Sequence, residues 1–149
     1  MIVVLEDRSG WISNLICTFL YTAKTNLPHM STVTLTKTEE ILNHHLSAFM
    51  ETDVNEIMKG YSENSELLTP RGPLKGLDAI RSFFEEVFKI LPKGCTLGLT
   101  QTIIRDNLAY VVWSAESSFV SIPLGADTFI MENDKILYQN LAAHIIPKQ

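Results

Sequence analysis

The chain has 149 residues, 46% of them apolar, and a formal charge of −5. That length fits one domain of roughly 100–200 residues, with enough apolar material for a core. The twelve Lys and Arg residues are scattered. Nucleic acid as main partner and a polybasic membrane patch are therefore excluded, since both need clustered cations. Cys17 and Cys95 form no CxxC pair or zinc-like cluster, so reduced thiols in a cytoplasmic protein are expected, with no metal and no cofactor. No apolar run approaches the ~18–20 residues of a membrane span. The stretch Trp11–Tyr21 follows Glu6, Asp7 and Arg8, without the net positive start of a signal peptide.

Residues 1–36 read as an N-terminal extension to a domain over 37–149. Ile2–Leu5 fits a short strand and Trp11–Tyr21 a short helix. Two readings stay open: a docking arm, or sequence upstream of a true start at Met30. From Thr38 the signals sharpen. Thr38 with Glu39 and Glu40 is the expected helix start, a capping hydroxyl with acids in the first turn. Ile41, Leu42, His45, Ala48 and Phe49 then recur at helical spacing. Asp53 caps a second short helix that stops at Gly60. Leu67–Thr69 is a short strand, and Pro70-Arg71-Gly72-Pro73 is expected to be an irregular loop. A third helix follows Gly76, with Ile80, Phe83, Phe84, Val87, Phe88 and Leu91 along its inner stripe, and Pro92 and Gly94 close it.

Four strand-like stretches complete the chain: Thr96–Arg105, Leu108–Ser117, Phe119–Glu132 and Ile136–Ile146. Asp106-Asn107 and Asn133-Asp134 separate them and suit the φ > 0 positions of tight hairpins. Three helices followed by an antiparallel meander is an α+β pattern. In the second long strand Ala109, Val111, Trp113 and Ala115 share one face, Tyr110, Val112, Ser114 and Glu116 the other. Both sets begin apolar, which predicts a cover on each face: helices on one, a second subunit on the other.

Two ionisable groups stand on apolar faces. His45 lies on the inner stripe of the first helix, either as a pocket-wall histidine or as a hydrogen-bond donor and proton carrier. Asp127 shares parity with Phe129 and Met131, where a carboxylate must be paired or protonated. It is either a satisfied structural acid or a reacting one. Glu116 and His144 are expected outside the site. No Gly-rich phosphate loop, HExxH or GxSxG is present.

The runs His45–Asp53, Ile57–Tyr61, Thr69–Phe84 and Gly125–Ile145 together resemble the nuclear transport factor 2-like superfamily. Within it they are similar to the SnoaL-like branch, with its polyketide cyclases and ketosteroid isomerases. The resemblance spans residues 38–147. It implies three N-terminal helices packed in the concave face of a curved, mostly antiparallel sheet, a cone-shaped α+β barrel around a cavity. It also implies a homodimer through the outer sheet face. Asp127 falls where isomerases place a protonated acid and cyclases a general acid/base. His45 falls where isomerases have a tyrosine donor. Thr69 occupies the position of the isomerase base, which a threonine hydroxyl cannot replace at neutral pH. The implied pocket is Tyr61, Thr69, Phe84, Trp113, Phe129, Gln139 and Leu141, holding a small apolar molecule. Three functions follow as expectations: proton transfer on an apolar carbonyl compound through Asp127 and His45, ligand binding without catalysis, or an interaction module using the N-terminal arm.

Overall fold

Helix α1 (Lys37–Met50) opens at Thr36, whose hydroxyl accepts the Glu39 backbone N–H while the Glu39 carboxylate accepts the Thr36 backbone N–H. Thr38 is therefore not the cap. Of the two threonines only Thr36 has a glutamate three residues on, and that reciprocal pair satisfies two orphan amides. Thr38 is buried, and its hydroxyl donates to the Asp106 carbonyl at 2.7 Å. The computed structural model describes residues 35–149. The strand expected at Ile2–Leu5, the helix at Trp11–Tyr21 and the Met30 start lie outside the described residues.

Helix α2 (Val54–Met58) is capped by Asp53, which accepts the Glu56 N–H at 3.0 Å. His44 on α1 reaches Glu56 on α2 at 3.1 Å, so the exposed neighbour of His45 ties the two helices together. Strands β1 (Glu66–Thr69) and β2 (Gly72–Lys75) form a hairpin, and α3 (Gly76–Ile90) follows. The expected irregular loop thus becomes a strand from Gly72 on. Pro73 is tolerated because β2 is the outermost strand, paired only with β1, so its missing N–H leaves no ladder bond unmade.

Strands β3 (Thr96–Arg105), β4 (Leu108–Glu116), β5 (Val120–Glu132) and β6 (Lys135–Pro147) form the meander. Asn133 and Asp134 both take φ > 0, as a two-residue hairpin of this hand requires; in the β3–β4 turn Asp106 does. The six strands form one sheet in the order β2-β1-β6-β5-β4-β3, antiparallel except for the β1–β6 pair. Register shifts at Leu99/Gln101, Trp113/Ala115 and Ser121/Leu124 fall on neighbouring strands, and bulges of this kind bend a sheet. The three helices pack on this curved sheet, the α+β cone expected.

Burial follows the expected alternation. Ala109, Val111 and Ala115 are buried, whereas Tyr110 and Val112 on the other face are half-buried. Leu42, Ile57, Ile80 and Phe84 meet Leu67, Val111, Phe129 and Ile136 in the main core. Leu91, Ala115, Val120 and Ile122 form a second cluster. Among the described residues no helix is long and apolar enough to cross a membrane.

Candidate active site

A cavity of about 880 Å³ is lined by residues of both clusters, among them Phe84 and Val111 from the first and Leu91 and Ile122 from the second. Asp127 enters it from the middle of β5. Its neighbours across the sheet are Val111 on β4 and Leu141 on β6, both also on the cavity wall. Asp127 is 8% exposed. One oxygen accepts the Trp113 indole N–H at 3.2 Å, and the other accepts the Gln139 side-chain N–H at 3.0 Å. The Gln139 carbonyl in turn accepts the Tyr61 hydroxyl. Two side chains, from β4 and β6, therefore donate to one carboxylate, and Tyr61 at α2's exit holds the second of them in place.

Trp113 reaches Asp127 because residue 125 is glycine. Trp113 pairs with Gly125 across the β4–β5 ladder, and its indole lies on the bare backbone there. A Cβ at this position would stand 2.3 Å from the indole Cε2, closer than any real contact. The indole N–H then spans the two residues along β5 to the carboxylate.

Burial pushes the Asp127 carboxyl up to about 6, against the downward pull of the Trp113 and Gln139 hydrogen bonds. The same burial, with His44 adding repulsion, lowers His45 to about 4, so its imidazole is neutral at pH 7. Tyr61 is raised by burial and by the Asp127 charge, and keeps its proton.

Of the expected site residues, His45, Thr69, Phe84, Trp113, Asp127, Gln139 and Leu141 line the cavity. Tyr61 and Phe129 pack behind that wall, each with its ring edge-on to His45, at centroid distances of 5.9 and 5.2 Å. His144 is exposed, opposite Leu124 in the β5–β6 ladder. His45 forms no hydrogen bond with Asp127, and its Nδ1 is buried without a partner. The Thr69 hydroxyl donates to the Gly72 carbonyl at 2.9 Å and accepts the Arg71 N–H at 3.1 Å, so it is committed to the β1–β2 turn. Sequence inspection missed Leu99, Leu74 and Arg71 on the wall. Leu99 was signalled by its pairing parity with Trp113; Arg71 carried no signal, because its segment reads as a loop. No group of three or more His, Cys, Asp or Glu suited to a metal occurs among the described residues.

The family model described as SnoaL-like domain matches residues 42–138. The chain belongs to the SnoaL-like domain family. No curated protein matches it. Solved structures with this fold include an NTF2-like protein of unknown function from Cytophaga hutchinsonii, 13% identical with a TM-score of 0.61, covering 76% of this chain and 95% of that one. A SnoaL-like protein of unknown function from Burkholderia thailandensis is 13% identical, TM-score 0.61, with 75% and 98% covered. TerC, co-crystallised with polyporic acid, is 16% identical, TM-score 0.59, with 73% and 92% covered. At these identities the likeness establishes the SnoaL-like fold alone. The polar set on this cavity wall is Asp127 with its two donors and a neutral His45.

Proposed function

We propose that this SnoaL-like domain holds a small, mostly apolar carbonyl compound in the cavity and moves a proton on it through Asp127. The observation that carries this is a buried carboxyl, raised to about 6, on the wall of an otherwise apolar cavity. Near neutral pH such a group is mostly ionised yet basic enough to take a proton from carbon, and it returns that proton easily. In the step, the Asp127 carboxylate takes a proton from the carbon next to the carbonyl, and the C–H electrons pass into an enolate. The proton then returns to a different carbon; alternatively the enolate carbon adds to a second carbonyl of the same molecule, closing a ring, and the resulting alkoxide takes the proton back from Asp127. The Trp113 and Gln139 donors keep the carboxylate oriented in both protonation states. Neutral His45 serves as a polar patch of the wall beside the ligand and not as the acid partner of Asp127.

The test is turnover of enolisable cyclic ketones by the wild type and by Asp127→Asn. General acid–base catalysis is worth about 10²–10⁴ in rate, so the variant should lose at least about 100-fold in kcat while still binding. Equal turnover by both proteins would sink the proposal. One observation favours a second reading, a binding protein without turnover: the Thr69 hydroxyl, at the isomerase base position, is committed to the turn. Under that reading Asp127→Asn alters affinity only.

The half-buried Tyr110 and Val112, with exposed Tyr138, give the outer sheet face an apolar character that supports a homodimer through it. A monomeric mass at micromolar concentration would contradict it. Cys95 has no disulfide partner among the described residues, which suits a reducing compartment, and the cytoplasm is the proposed location.

A further inference from the structure

We propose that the ligand carries an anionic group, a carboxylate or similar oxyanion, at the end away from Asp127, and that Arg71 takes it at the exposed end of the cavity. This rests on the ligand-binding reading above and adds the ligand's charge and orientation to it.

Among the described residues three charged ones line the cavity: Asp127, Glu86 and Arg71. Asp127 is buried and Arg71 is exposed, which separates an anionic inner site from a cationic outer one. The Glu86 carboxylate is bound by Lys89 at 2.5 Å, so its charge is answered locally. Arg71 has no carboxylate within ion-pair distance among the described residues, and its side chain makes no hydrogen bond there. Among the described residues it is thus the cation on the wall that is left to meet a ligand.

The backbone under Arg71 is held in place. Thr69 bridges the turn by accepting the Arg71 N–H and donating to the Gly72 carbonyl, and Gly72 takes φ +123, a conformation other residues adopt only with strain. The residue standing at the isomerase base position here builds the turn that presents the guanidinium. Charge then fixes which way round the ligand lies. An oxyanion near Asp127 would be repelled across an apolar, poorly screened space, whereas at Arg71 it gains a planar, fork-shaped donor suited to carboxylate geometry. The apolar body spans the walls between, and the carbonyl end is left facing Asp127.

Two fluorescent probes with one aromatic frame separate the parts: anilinonaphthalenesulfonate, which carries an anion, and N-phenylnaphthylamine, which does not. Both are titrated into the full chain and into Arg71→Gln, at low and at high salt. The expected result is that Arg71→Gln weakens anilinonaphthalenesulfonate roughly 5–10-fold and leaves N-phenylnaphthylamine unchanged. Salt should reproduce that loss in the wild type and not in the variant. If N-phenylnaphthylamine binds but the substitution affects neither probe, the anionic end is wrong and the pocket stands. If neither probe binds, the pocket reading falls and this inference falls with it.

Discussion

Asp127 and His45 lie on one cavity wall, and burial shifts them in opposite directions. Asp127 titrates at about 6 in the fold, above its ordinary 3.8, so the folded state holds this proton more tightly than the unfolded chain. Its contribution to stability is full below the ordinary value and lost as pH rises through about 6. Carrying the ionised form at pH 7 costs about 3 kcal/mol. His45 titrates at about 4, below its ordinary 6.5. Its contribution is intact above the ordinary value and lost as pH falls toward 4, again by about 3 kcal/mol. Between these limits the two slopes oppose. Asp127→Asn should therefore lose stability on acidification more steeply than the wild type, and His45→Gln should lose it as pH rises. Urea midpoints over this range check both, and three parallel curves would be inconsistent with the burial described. The parity of Asp127 with Phe129, and the place of His45 on the α1 stripe, made both residues legible in the sequence. Arg71 was not legible, since its role depends on which way a turn faces.

The elements around the site show where pattern stops being informative. The meander was read from β-branched runs and turn residues because its strands are long and their hairpins short. The β2 strand was missed, since Pro73 reads as a breaker unless it is known to sit on the sheet edge. The α1 cap was present in the sequence as Thr36 with Glu39 three residues on, a pairing that Thr38, two residues later, lacks; the contact of Thr38 to Asp106 gives that hydroxyl another use. Gly125 is the clearest case of context beyond pattern. It reads as a weak point in a strand, yet it is the floor on which the Trp113 indole rests. Gly125→Ala should push the indole away and remove its hydrogen bond from the Asp127 carboxylate. That bond favours the ionised form, so the Asp127 titration should move above the wild-type midpoint. A carbon-13 NMR titration of the carboxyl checks this, and an unmoved midpoint would mean that Trp113 does not tune the site.

On the scale of the whole described domain, the cone follows from ordinary causes. Bulges in adjacent strands curve the sheet, and the helices cover its concave face. Residues of both apolar clusters, joined through Phe49 and Trp113, leave a cavity lined by members of each. A fully packed core would be more stable, and a carboxyl within it would cost stability with no return in chemistry. Both features make sense together if the cavity takes a ligand on which Asp127 acts. The measurement that bears most directly on this is the midpoint of the Asp127 carboxyl resonance in the wild type, titrated by carbon-13 NMR. A midpoint near 6 is predicted, falling or rising when a probe fills the cavity beside it. A midpoint at or below the ordinary 3.8, unmoved by any probe, would contradict it and leave Asp127 a structural acid.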